Sequence, residues 1–447
     1  MIETLRTWTV AKQSDFRPAD SLWQRFTSGA FWSLAGGVVS RGSVLVASVG
    51  CARLLGRIAF GELGIIQSTA GTFGIFAGLG LGLTATKYVS EYRTKNRDRV
   101  GSILALSSIV AVASGVVMAG LLIMSASFLA KHTLGAPELA SPLAIASGLV
   151  ILGAMNGAQT GTLIGLEAFR AIAKISLWTG VANLLLVICG AWYRGLHGAV
   201  WGLVAALGIN WLLNNIAIRE ECSRAGIGYD FRNFAREWRI LYRFSLPAFL
   251  ASIIVGPAMW ICNALLVNRP NGYLEMGLYT AADKWRLLIL FVPATMTGMA
   301  LPMLSHSHGA GDHVSYGKIL NANLLLCVAL TALPAIAAAL LSVPILSAYG
   351  PGYRPAWPIL VILAFSAVPE AVNNILGYAA ISRGGVWWRL AFDVVLAGAL
   401  LGFSVWAIPR WGAIGLAGGY FVAFSLVTTG LLLFLWNRRL NTSHNWI

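Results

Sequence analysis

Charged residues in this chain fall into short clusters, and the intervals between the clusters are apolar and long enough to cross a bilayer. An apolar helix of about 20 residues spans the roughly 30 Å of membrane hydrocarbon, so this spacing predicts an all-α membrane protein. Only 11% of residues are charged, against about a quarter in soluble domains, and mean hydropathy is +0.73. A soluble fold of this composition would leave too much apolar surface in water.

Read from cluster to cluster, spans fall at 28–50, 61–86, 101–130, 139–166, 175–193 and 196–218, then at 244–268, 275–305, 318–349, 355–382, 387–408 and 411–436. The expected organisation is twelve transmembrane helices in two pseudo-equivalent six-helix lobes. An N-terminal tail covers 1–27, the first lobe 28–218, a basic linker 219–243, the second lobe 244–436 and a C-terminal tail 437–447. Residues 1–27 lack an apolar stretch ending in a cleavage site, so the first span is expected to be retained. The cysteines Cys51, Cys189, Cys222, Cys262 and Cys327 are scattered without paired spacing, which indicates neither a disulfide framework nor a metal site. His306, His308, Asp312 and His313 crowd one loop but lack zinc-ligand spacing. No cofactor is expected.

Lys and Arg set orientation, because cytoplasmic loops accumulate them. With both termini cytoplasmic, the inner side takes 22 of the 32 basic residues, including the run Lys87 to Arg99 and the segment Arg219 to Arg243; seven lie outside and three within spans. The net charge of +15 therefore reads as topology and attraction to anionic membrane lipid. A nucleic-acid partner is not expected.

The halves echo one another at a separation of roughly 212 to 218 residues. Arg25-Phe26 opens the first as Arg243-Phe244 opens the second, Gly61-Glu62-Leu63 matches Gly277-Leu278-Tyr279, and Gly198 to Gly202 resembles Gly412 to Gly415. Six helices per half is an even number, so the repeat is parallel, with a pseudo-twofold along the membrane normal.

The segments ARLLGRIAFGELGIIQS (52–68), GLGLGLTATKYVSEYR (78–93), FSLPAFLASI (244–253), MGLYTAADKW (276–285) and NILGYAAISRG (374–384) resemble the Wzx-type polysaccharide-biosynthesis flippases of the multidrug/oligosaccharidyl-lipid/polysaccharide (MOP) superfamily. The resemblance covers most of the chain from Arg25 onward. It implies two lobes forming a V-shaped central cavity and a place in the bacterial inner membrane. It also implies a lipid-linked oligosaccharide as cargo, an undecaprenyl-diphosphate-linked O-antigen or exopolysaccharide unit, and other polysaccharide assembly proteins as partners. The rivals are a cation-coupled multidrug exporter of the same superfamily and a membrane glycan polymerase or ligase. The second would need a sizeable outer loop, and the longest outer connection is about ten residues.

Charge near the bilayer centre costs roughly 2.5–3.5 kcal/mol per residue on insertion scales, so each exception marks a candidate site. Arg41 interrupts the first span without an acid beside it, and either faces a watery cavity as an anion ligand or satisfies helix-end carbonyls. Asp283 and Arg286, three apart, share a helical face and can pair, which would leave Lys284 as the free cation. Under the resemblance, Arg41, Lys284 and Arg286 would bind the cargo's diphosphate, which suits a guanidinium fork. Glu370, after Pro369 and before Asn373 and Asn374, could present a carboxylate to a coupling Na+ or H+; Asp283 and Asp393 are further candidates, although Asp393 can pair with Arg389 one turn away. Trp260 and Trp285 are read first as packing side chains and second as platforms for sugars.

Overall fold

A computed structural model describes residues 22–93, 96–231, 234–241, 245, 249, 253–309, 312–382 and 386–440. The predicted tails before residue 22 and after 440, and most of the interval 242–252 that opens the second half, lie outside the described residues.

The described chain is helical. It runs α1 (Leu22–Gly78), α2 (Leu81–Tyr92), α3 (Arg97–Phe128), α4 (Ala140–Gly165), α5 (Phe169–Ala225), α6 (Val255–Val267), α7 (Gly272–Gly309), α8 (His313–Leu340), α9 (Ser342–Tyr349), α10 (Trp357–Ser382) and α11 (Val386–Leu440). Among the described residues, seven stretches are long and apolar enough to cross a membrane. The ends follow local chemistry. Asn96 accepts the Arg99 N–H at the start of α3, Asp312 accepts that of Ser315 at the start of α8, and Gly226, left-handed at φ 66°, ends α5.

A 57-residue helix such as α1 or α5 would be about 85 Å long if straight, far more than a bilayer, and each is broken instead. In α5 the break is at Arg194 and Gly195, between the predicted fifth and sixth spans; the arms fold back so that Gly202 packs on Leu186 and Val187. In α11 it is at Gly412, with Gly415 against Ala407 and Gly419 against Ser404. Gly195 (φ 56°, ψ −134°) and Gly412 (φ 55°, ψ −130°) have nearly the same backbone conformation, 217 residues apart. Only glycine adopts it readily. The repeat is thus written in backbone geometry, and it corrects the alignment of Gly198 with Gly412: the structural counterpart of Gly412 is Gly195. In α1 the break is at Gly56 (φ 76°).

Other boundaries differ from the sequence expectation. The predicted span 61–86 is interrupted at Leu79 and Gly80, both at positive φ, and the following α2 lies against α4 where Gly82 meets the Gly157 carbonyl. This is the close helix approach that small residues permit. The predicted span 318–349 is two helices, because Leu341 leaves helical geometry. Helix α5 runs on into the predicted linker, where Glu220 and Glu221 pair with Arg224 on the same helix.

The helices before residue 226 pack mainly on one another, as do those after 255, and α1 against α7 is the principal bridge. The bridge is symmetric. At the crossing, Gly61 lies on the Tyr273 carbonyl and the Gly277 amide, while Gly277 lies on the Arg57 carbonyl and the Gly61 amide. Residues 57 and 61 exchange places with 273 and 277, as a twofold contact requires.

Candidate functional site

Next to that crossing, three consecutive α1 residues reach the other half. Lys284 on α7 donates to Gln67 Oε1 at 2.9 Å, Asn263 Nδ2 on α6 donates to Ser68 Oγ at 2.9 Å, and Trp260 Nε1 donates to Thr69 Oγ1 at 2.9 Å. Side-chain polar groups in hydrocarbon gain by pairing across helices, so this ladder fixes α1 against α6 and α7. Trp260 is thereby committed to packing. Lys284, Gln67, Ser48, Cys51, Asn183 and Thr280 line a cavity of about 40 Å³, room for one to three waters. The Thr280 hydroxyl, buried on its wall, has no hydrogen-bond partner among the described residues.

Asp283 and Arg286 pair as their spacing predicts, at 2.7 Å. The guanidinium also meets the Glu370 carboxylate and lies 5.0 Å from the Tyr420 ring centroid, with 5% of the residue exposed. Two carboxylates and a ring therefore enclose Arg286. In this conformation its donors are taken by these two acids. The cation that Glu370 meets here is Arg286. That contact, 84 positions apart in sequence, had no local signal. In their ordinary charge states the cluster of Asp283, Glu370 and Arg286 is one negative charge, which Lys284 balances, and Arg41 is surplus.

Arg41 is exposed, with its guanidinium 5.5 Å from the Phe291 ring centroid. It is near enough to Lys284 for the two positive charges to interact. Phe291, with Val38, Leu288, Trp285, Leu330 and Pro334, lines an apolar crevice of about 340 Å³ between α1, α7 and α8. Asp393 stands apart from this group. It pairs with Arg389 at 2.9 Å, Arg389 also donates to the Asn373 carbonyl at 3.1 Å, and Gly377 leaves space for the guanidinium.

Sequence reasoning missed Gln67, Asn263 and Ser68, although an amide in an apolar span is itself costly and marked them. It also missed a seal at one end of the α1–α7 crossing. Arg53 Nε donates to the Ala348 carbonyl at 2.6 Å, Ser48 and Tyr349 hydroxyls are 3.0 Å apart, and Arg57 donates to the Gly352 carbonyl at 3.3 Å. The Phe60 ring lies about equally far from those of Tyr349 and Tyr353, at 6.3 and 6.2 Å. Tyr273 donates to the Leu134 carbonyl at 2.7 Å. All these residues lie in or beside loops that the charge bias assigns to the outer side.

The fold and this buried charged centre define a polytopic helical membrane protein. The family model for polysaccharide biosynthesis proteins matches residues 26–308, and the chain belongs to that family. It is 27% identical over 293 residues to the EPS I polysaccharide export inner membrane protein EpsE of Ralstonia nicotianae, a match covering 64% of this chain and 65% of that relative's length. It is 23% identical over 434 residues to the lipid III flippase of Escherichia coli K12, covering 92% of this chain and 98% of the relative. Among solved structures, the inward-facing conformation of a multidrug resistance MATE family transporter of the MOP superfamily matches with a TM-score of 0.71 at 14% identity, covering 92% of this chain and 97% of that one. Its outward-facing counterpart matches with the same TM-score. The fold is therefore that of these MATE transporters.

Proposed function

We propose that this chain is a lipid-linked oligosaccharide flippase, a transporter and not an enzyme. Its cargo is an undecaprenyl-diphosphate-linked O-antigen or exopolysaccharide unit, carried across the inner membrane by alternating access. In this reading twelve spans form two six-helix lobes about a central cavity, both termini are cytoplasmic, and the Tyr349 seal closes the outer end. Family membership and the names of the export and flippase relatives support the class of cargo.

The observation that carries the reading is Lys284. Its neighbour Arg286 makes the direct contacts with both nearby carboxylates, while the ammonium of Lys284 is held by the neutral amide of Gln67. A phosphate oxygen can displace an amide from an ammonium without leaving a buried charge unpaired, because the anion is the stronger partner. Arg41 would supply the second cation. The 40 Å³ space beside Lys284 is too small for a diphosphate, so binding belongs to a state in which α1 and α7 separate. The apolar crevice beside Phe291 suits a polyprenyl tail. Cationic drugs would meet Arg41 and Lys284 unfavourably, which argues against the multidrug reading.

Coupling to Na+ or H+ would fall to Asp283 and Glu370, two carboxylates that share the single guanidinium of Arg286. Asp393, already matched by Arg389, is the weaker candidate. Other polysaccharide assembly proteins would supply and receive the cargo.

The test is flipping of diphosphate-linked and monophosphate-linked polyprenyl glycans in proteoliposomes, by wild type, Lys284→Met and Arg41→Ala. The expected result is that wild type favours the diphosphate lipid and both variants lose that preference. Equal transport in every combination overturns the reading.

A further inference from the structure

The first half contains a second cavity, of about 330 Å³, at the end of the bundle that carries the basic linker. It shares no lining residue with the Lys284 cavity. Trp211, Asn215 and Arg219 on the second arm of α5 line one side; spaced by four, they form a single stripe along the helix. Arg219 lies six residues from the end of α5 at Ala225, about 9 Å, and Trp211 is about 12 Å deeper. The stripe therefore runs from cation through amide to aromatic ring with increasing depth.

The other walls add aromatic rings and a second amide. Tyr229 and Phe231 stand at the rim, their rings stacked at 5.7 Å with 10° between planes and both exposed. A tyrosine ring of this kind settles at headgroup depth. On α4, Gln159 lines the wall, and its Oε1 is buried with no hydrogen-bond partner among the described residues. A buried acceptor of this kind calls for a donor. Arg219 pairs with no described carboxylate, since the adjacent Glu220 and Glu221 pair with Arg224.

We propose that this cavity binds the headgroup and upper acyl chains of an anionic, hydroxyl-bearing phospholipid of the phosphatidylglycerol type. The phosphate meets Arg219 and the Asn215 amide, a headgroup hydroxyl donates to Gln159, and the acyl chains pass Trp211 into the membrane. Basic pockets between transmembrane helices on the cytoplasmic side are suited to such headgroups. The bound lipid would brace the ends of α3, α4 and α5 where the chain leaves for the second half. The proposal rests on the orientation given above only for which leaflet supplies the lipid.

The test is native mass spectrometry of the full-length protein titrated with phosphatidylglycerol, phosphatidylcholine or glycerol 3-phosphate, on wild type, Arg219→Gln, Gln159→Leu and Ala158→Phe, the last filling the cavity. Wild type should retain phosphatidylglycerol over phosphatidylcholine, and Arg219→Gln should weaken that binding by roughly tenfold, the loss of one charge-assisted hydrogen bond. Gln159→Leu should narrow the preference, and Ala158→Phe should abolish it with an unchanged gel-filtration profile. Equal retention of the two lipids by wild type, or no change in any variant, overturns the proposal. So does competition by glycerol 3-phosphate as strong as by the lipid, which would mark a soluble phosphate site. Binding is read without transport, so failure of the flippase reading would leave this result standing.

Discussion

Gly61 and Gly277, 216 positions apart, lie backbone to backbone where α1 crosses α7, each against the other's amide nitrogen. A side chain at either position would strike the opposite helix. Because the contact is symmetric, Gly61→Val and Gly277→Val should have similar effects, each destabilising this closed arrangement by about 1–3 kcal/mol, the usual cost of overpacking. Thermal unfolding in detergent measures the loss. Strongly unequal effects would argue against a twofold crossing.

The seal beyond this crossing makes a prediction about Cys51, which is 1% exposed and one turn from Ser48. Tyr349→Phe removes the hydroxyl that meets Ser48, at about 1 kcal/mol for one hydrogen bond. Labelling of a variant retaining only Cys51 by a membrane-impermeant maleimide should therefore speed up. Phe60→Ala should speed it further. Unchanged labelling in both would show that this contact is not what shields the cavity.

Lys284→Met should slow flipping of the diphosphate lipid by roughly tenfold or more, equivalent to at least ~1.4 kcal/mol, while Lys284→Arg keeps part of the rate. Gln67→Leu, which frees the ammonium but keeps its charge, should be the milder change. A proteoliposome assay with matched protein amounts decides it, and a larger loss for Gln67→Leu than for Lys284→Met would reverse the assignment.

Arg286→Met leaves Asp283 and Glu370 without their common partner and should destabilise the protein by about 3–5 kcal/mol, as breaking a buried ion pair does. Neutralising the acids as well, in Arg286→Met/Asp283→Asn/Glu370→Gln, should recover much of that stability while removing any ion dependence of transport. Thermal melts and transport under sodium or pH gradients separate the two effects. Retained ion dependence in the triple variant would move coupling away from this cluster.

Much of this protein was legible in its sequence because the bilayer admits few solutions. Backbone groups in hydrocarbon must be satisfied within the chain, so apolar stretches between charge clusters had to be helices. The repeat surfaced in glycines because both halves need the same close crossing, at Gly61 and Gly277, while the matching reversals at Gly195 and Gly412 emerged only from the backbone. The Asp283–Arg286 pair was visible because three residues along a helix is a contact in itself.

What the linear order could not decide was which side chains converge from distant helices. The family resemblance placed Arg286 among three cations beside a cargo, and only the approach of α10 to α7 brought in Glu370 and enclosed it. The same approach of separate helices set Lys284 on Gln67, Asn263 on Ser68 and Tyr349 on Ser48. Local periodicity and charge bias fix where a chain enters and leaves the membrane. The pairing of buried polar groups depends on helix packing, which sums small contacts over the whole bundle and leaves no short-range trace.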